Sequence, residues 1–255
     1  MKGRLQSSSI PKKYSRRSSN AVRWTSWTCQ QCLSQLRRLG SPKNVAGMAR
    51  FGIRAKKVYG VAKPKMDALA KRIGKSHRLA MHLWGSGVHD ARILAGLVDE
   101  VQHVTAAQMD RWVRDFDNWD VCDGTCCHLF TFAAPAWQKA VQWSRRKPEF
   151  QKRAGFALMA YLAVHDKSAV DSKYLRLLPV IRREARDERN FVRKAVNWAL
   201  RQIGKRNLKL NRAAIQEAER IEKVDSRAAR WIARDALREL RSEAVQRRLR
   251  GKRAG

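Results

Sequence analysis

No acidic residue occurs in this 255-residue chain before Asp67, and over its whole length 22 Asp and Glu face 55 Lys and Arg, a formal net charge of +33. That imbalance suits a chain built to lie against polyanions. It favours nucleic acid strongly and an anionic membrane surface weakly. Long apolar runs are also missing. The longest, such as Phe156–Val164, fall far short of the roughly 18 residues that a membrane span needs. Cysteine is sparse and odd in number, five, with no secretory apolar region ahead of it, which points to a reducing compartment and excludes a disulfide framework. Cys29-Gln-Gln-Cys32 has the spacing of a redox or zinc pair, but no second such pair follows and no βαβ pattern surrounds it. Cys122, Cys126, Cys127 and His128 can be drawn as a zinc cluster, yet cysteines four apart on an apolar helix face are usually small core residues. No metal and no cofactor are expected. Alternating apolar and polar residues, the mark of a half-buried strand, are absent as well.

What is present is helical periodicity. With 44% hydrophobic residues the chain can bury one sizeable core. Residues 1–27, rich in Arg and Ser with Pro11, read as a disordered basic arm, a composition that also fits an organellar transit peptide or an over-long start. From about residue 28 the pattern is helical. Met109, Trp112, Val113 and Phe116 fall at i, i+3, i+4 and i+7, and Thr105 with Gln108 predicts a capping box in front of them. Similar stripes predict helices over 64–75, 77–84, 89–98, 119–131, 136–145, 149–164, 171–187, 190–204, 210–223 and 226–240, with breaks at Gly85-Ser-Gly87, Pro135, Lys147-Pro148 and Gly204. The segments starting at Glu149, Asn190 and Lys223 share phase and small residues, at offsets that bracket the period of two-helix repeats. The expected fold is all-α, a right-handed solenoid of HEAT-like repeats with a concave basic groove, spanning 28–245 and followed by a basic tail at 246–255.

One cluster opposes the charge of the chain. Asp117, Asp120 and Asp123 surround Trp119, and Trp119 and Asp123 stand at i and i+4, on one face of a helix. A carboxylate turned towards a polyanion is repelled by it, so one placed there has chemistry to do; the alternative is the solvated acidic edge of a helix. Asp117 and Asp120 suit caps or ion pairs with neighbouring arginines. Trp24, Trp27, Trp84, Trp112, Trp137, Trp143 and Trp231 suit the core, and the stripe Arg227, Arg230, Arg234, Arg238 and Arg241 is either solvated or follows phosphates.

From about Leu39 to about Arg206 the chain resembles the AlkD-like DNA glycosylases, HEAT-like repeat proteins that remove alkylated purines. The resemblance rests on Lys43-Asn-Val-Ala-Gly47-Met-Ala-Arg-Phe-Gly52-Ile, Gly60-Val-Ala-Lys-Pro64, Leu79-Ala-Met-His-Leu-Trp84, His89-Asp-Ala-Arg92, Asn118-Trp119-Asp120-Val-Cys-Asp123 and Lys194-Ala-Val-Asn-Trp198-Ala-Leu-Arg201, in that order. It implies a site of Trp119, Asp123 and Trp198, with Arg153 or its neighbour Lys152 holding a phosphate beside the lesion. The further DNA contacts expected are Lys194, Arg201, Arg230 and Arg234. The implied reaction is hydrolysis of the N-glycosidic bond of purines alkylated at N3 or N7, whose positive charge lets them leave without a general acid. One carboxylate then suffices to stabilise the oxocarbenium-like sugar, and indole faces flank the cationic nucleotide. The expected partner is double-stranded DNA containing alkylated bases, bound by a monomer in the cytoplasm with the nucleoid. A non-catalytic nucleic-acid-binding protein of the same fold is the alternative.

Overall fold

The computed structural model describes residues 26–251, so the arm expected over 1–27 lies outside the described residues except for Ser26 and Trp27. In chain order the helices are α1 (Cys29–Leu39), α2 (Pro42–Arg50), α3 (Lys63–Ile73), α4 (His77–Gly85), α5 (His89–Val98), α6 (Ala106–Arg114), α7 (Trp119–His128) and α8 (Ala136–Ser144). They continue as α9 (Glu149–His165), α10 (Asp171–Leu175), α11 (Leu178–Glu184), α12 (Asn190–Gly204), α13 (Leu208–Glu222), α14 (Arg227–Leu240) and α15 (Glu243–Gly251). No strand occurs among the described residues.

Polar side chains start many of these helices. Thr28 and Gln31 form a reciprocal capping box on α1, and Ser41, Ser76, Asn118, Asn207 and Ser226 each accept a backbone N–H in the first turn of the helix they precede. The capping box expected at α6 is only half formed. Thr105 accepts from Gln108 N, but the Gln108 side chain donates instead to the fully buried Asp99, Nε2 to Oδ2 at 2.6 Å. A buried carboxylate needs that donor more than an exposed turn does.

The helices stack in two layers. In one, α3, α5, α7, α9, α12 and α14 lie side by side, each against the next; in the other, α4 covers α5, α8 covers α9, and α13 covers both α12 and α14. The segments that share phase in the sequence, α9, α12 and α14, are thus equivalent members of one layer. Trp84 of α4 stacks on Trp112 of α6 with centroids 3.9 Å apart, and Phe130 packs edge-on against Trp143 of α8. Of the seven indoles predicted for the core, these three are buried, Trp27 and Trp137 pack partly buried against it, and Trp24 lies outside the described residues. Trp231 is instead partly exposed on α14, beneath the Arg193 guanidinium at 5.1 Å.

Three boundaries differ from expectation, the first being the helix predicted over 119–131, which ends at His128 and is followed by a 3-10 turn over Phe130–Phe132. The helix predicted over 171–187 is split into α10 and α11 because Pro179 has no N–H to offer the Leu175 carbonyl. The tail expected from residue 246 is helical through Gly251, with Val245 and Leu249 buried; only 252–255 lie outside the described residues.

Helices α8 and α9 approach closely at Gly155, where a Cβ would stand 2.4 Å from Ser144 N and 2.9 Å from the Ala140 carbonyl oxygen. Backbone cannot give way as a side-chain tip can. Gly155→Ala should therefore destabilise the protein by about 1–3 kcal/mol, the cost of overpacking, while Gly47→Ala, whose Cβ meets nothing within 4 Å, should be neutral or stabilising. Thermal unfolding of both variants checks this: a lower midpoint is expected for the first and not for the second.

Candidate nucleic-acid site

Helix α7 begins where it does because the buried Asn118 side chain accepts from both Asp120 N (3.0 Å) and Val121 N (3.1 Å). That fixes the rotation of the helix. Val121, Cys122, Thr125 and Cys126 turn inward, and Trp119, Asp123 and Cys127 share the opposite, partly open face. The inward cysteines lie against α9, with Cys122 Sγ 3.5 Å from the Phe150 carbonyl oxygen and Cys126 Sγ 3.8 Å from that of Ala154. Among the described residues no group of three or more His, Cys, Asp or Glu is placed to hold a metal ion.

Asp123 is engaged on both oxygens. Arg153 of α9 donates Nε to Oδ1 at 2.8 Å and Nη2 to Oδ2 at 2.6 Å, and its Nη1 donates to the Phe191 carbonyl of α12 at 2.7 Å. One guanidinium thereby joins three successive helices of the layer. The pair is nearly closed to water, with 16% of the Asp123 side chain and 9% of the Arg153 side chain exposed. Burial pushes the Asp123 carboxyl above its ordinary value, opposed in part by Arg153. Burial would lower the Arg153 guanidinium, but the charge of Asp123 outweighs it and holds it up. Arg153, for which the resemblance implies a phosphate contact, is here bonded to the carboxylate and to the Phe191 carbonyl.

Trp119 is half-buried, and its Nε1 donates to the Phe51 carbonyl oxygen at 2.9 Å, which ties α7 to the turn after α2. Trp198 on α12 stands edge-on to Tyr161 of α9 with centroids 4.8 Å apart. The Tyr161 hydroxyl hydrogen-bonds Cys127, one turn beyond Asp123, and burial raises its pKa so that the phenol stays neutral. The structure thus gathers Trp119, Asp123, Arg153 and Trp198 on three adjacent helices. It adds Tyr161, Phe191 and Phe51, which the sequence reading missed. Tyr161 lies two turns beyond Arg153, and Phe191 lies two turns before Trp198; that spacing was the available signal.

The flanking acids are used locally. Asp117 Oδ1 accepts from Asn118 Nδ2 at 2.6 Å, and Asp120 Oδ2 lies 3.1 Å from Nε2 of the buried His89, so neither takes the arginine partner expected of it.

Of the expected DNA contacts, several are spent inside the protein. Lys152 sits between Glu184 (2.6 Å) and Asp187 (3.2 Å), and Arg201 pairs with Glu239 and lies 3.5 Å from Asp235. Arg230 and Arg234 form only solvent-exposed pairs, with Asp225 and Glu222, and such pairs yield readily to a phosphate. Lys194 is exposed and pairs with no carboxylate among the described residues. So are Lys43, Arg50, Arg54, Lys56 and Lys57, which flank α2 and its turn. Between α2, α3, α5 and α7 lies a cavity of about 640 Å³, walled by Met48, Ile53, Met66 and Trp119 and rimmed by Lys43, Arg50 and Lys63.

Residues 32–240 match the sequence profile of a family described as DNA alkylation repair enzyme. A solved structure described as belonging to "a new family of proteins related to the HEAT-like repeat DNA glycosylases with affinity for branched DNA structures" superposes with a TM-score of 0.70 and 19% identity, over 84% of this chain and 95% of that one. At that identity the likeness is one of fold, and it supports the all-α repeat architecture. No curated protein matches the sequence significantly.

Removing one partner of the buried pair leaves the other charge uncompensated. Arg153→Met should cost about 3–5 kcal/mol of stability, whereas Arg153→Met combined with Asp123→Leu should cost clearly less than the sum of the two single changes. Urea unfolding of the three variants and the parent gives this cycle; additive losses would show that the two groups act independently.

Proposed function

Because this chain belongs to the family of DNA alkylation repair enzymes, we propose that it binds double-stranded DNA as a monomer and hydrolyses the N-glycosidic bond of purines carrying a positive charge from alkylation at N3 or N7. The observation that supports this most is a single one. A carboxylate in a chain of net charge +33 is held in one orientation by a two-pronged guanidinium, on the same helix face as Trp119, with Trp198 two helices away.

In this reading Arg153 positions Asp123 and does not touch the substrate. A bidentate arginine takes one lone pair of each carboxylate oxygen and leaves the others on a side chain that keeps 16% of its surface exposed. They would stabilise the cationic sugar and orient the attacking water as the base departs. The base leaves as a neutral purine, so no proton need be supplied to it. Trp119 and Trp198 would offer indole faces to the cationic nucleotide and keep bulk water from it. Lys194, Arg230, Arg234 and the basic residues flanking α2 would neutralise the phosphate backbone.

The same pair favours a second reading. A carboxylate already balanced by arginine exerts a weaker field on a developing cation than a free one does, which suits a protein that binds DNA without cleaving it. Release of free 7-methylguanine from methylated duplex separates the two readings: release supports hydrolysis, and tight binding with no release establishes the binding protein.

If the wild-type protein excises, Asp123→Asn, assayed well below its own unfolding temperature, should lose about 10² in single-turnover rate. Near-normal excision by that variant would remove Asp123 from the chemistry. The rate should also fall on acidification. The ionised carboxylate is the working form, and burial has raised its pKa above the ordinary 3.8; the acid limb should therefore lie above that value and be absent from the residual activity of the Asn variant.

A further inference from the structure

The most exposed large apolar side chain among the described residues is Phe51, at 70%. A lone exposed phenylalanine is ordinary on a protein surface. This one is unusual in how firmly its backbone is held and in what surrounds it. Its carbonyl accepts from Trp119 Nε1, its N–H donates to the Met48 carbonyl at 3.0 Å, and Gly52 N donates to that of Ala49 at 3.0 Å. Ile53 beyond it is buried, and its N–H donates to the Met48 carbonyl as well. Gly52 takes φ +78°, open to glycine at no cost, and lies so close to the Phe191 ring that a Cβ would stand 2.9 Å from Cζ. Two aromatic residues on α7 and α12 thus clamp a turn whose one free group is the Phe51 ring. Around it Arg50 and Arg54 are exposed and unpaired with any carboxylate among the described residues, as are Lys43, Lys56 and Lys57 in the neighbouring segments. An exposed apolar ring on a firmly held turn among unbalanced cations is the arrangement that lets a side chain enter a base step while its neighbours hold the flanking phosphates.

We propose that Phe51 is a wedge that stacks on the base exposed where duplex DNA is interrupted, and so gives the protein a preference for discontinuous over intact DNA. The proposal rests on the DNA-binding half of the function above and not on its hydrolytic half. The clamped turn makes the wedge effective, because a backbone already fixed in place loses little freedom on binding. The cavity behind the turn, with Trp119 as one wall, leaves room for a displaced nucleotide.

The test uses the full chain and unmodified DNA, in which there is no base to excise. Affinities of the wild type, Phe51→Ala and Phe51→Trp are measured for an intact duplex and for the same duplex with a one-nucleotide gap flanked by 2-aminopurine. The wild type should prefer the gapped DNA and change the 2-aminopurine emission on binding. Phe51→Ala should lose about tenfold or more on gapped DNA, the scale of one base–aromatic stack, with little loss on the intact duplex and an unchanged salt dependence there, since no charge is removed. Phe51→Trp should restore both the preference and the emission change. A wild type without preference, equal losses on both DNAs, or no restoration by Trp would each overturn the proposal. A protein that shows the preference but releases no alkylated base would leave the wedge standing and refute the hydrolytic reading alone.

Discussion

The Arg153 guanidinium is the point on which the site depends. Its three bonded nitrogens reach α7 through Asp123 and α12 through the Phe191 carbonyl, from a position on α9 between them. A charge buried to this degree is tolerated only when opposed and hydrogen-bonded, and here that requirement is met by the rotation of α7 that the Asn118 cap sets. Trp119 inherits its place from the same constraint, being one turn away on the same face. Packing of the three helices and placement of the carboxylate therefore depend on the same residue pair.

Charge is distributed unevenly along the array. On the C-terminal helices, basic residues are matched by acids in pairs such as Arg201 with Glu239, Arg238 with Asp235 and Arg241 with Glu219. In the segment before Asp67 no acid exists to match them. The excess positive potential consequently lies around α1 and α2 rather than along the arginine stripe of α14, although the stripe is the more conspicuous pattern when read as letters. Pairing is what a linear reading cannot weigh: Lys152 is separated by 32 residues from Glu184, which neutralises it.

Much of the fold was legible. The stripes that give α4, α5, α6, α12 and α14 follow from a 3.6-residue period enforced by burial on one side, and the in-phase Ala-rich segments mark helices that stack on one another. Trp119 and Asp123 were visible because their spacing is that of one helical turn. What stayed hidden was tertiary in origin. Nothing local says that Arg153 faces a carboxylate rather than solvent, that a buried Asp99 takes the Gln108 side chain from its cap, or that residues 243–251 find an apolar seat for Val245 and Leu249. Phe51 escaped because a single exposed ring carries no period at all.

In a stack of repeats each element touches its neighbours and little else, so such arrays open from their ends one unit at a time. The turn at Phe51 and Gly52 departs from that rule. By holding Trp119 of α7 and touching Phe191 of α12, it connects the first units of the array to one several helices further on. The chain is in effect buckled across its own face. Peeling of the N-terminal helices, which in an unbuckled array would leave the remaining repeats undisturbed, here strips the cover from Trp119 and from the ring beside Arg153. Amide protons at the end of α2 and at the start of α12 should thus share one opening event, though more than a hundred residues separate them.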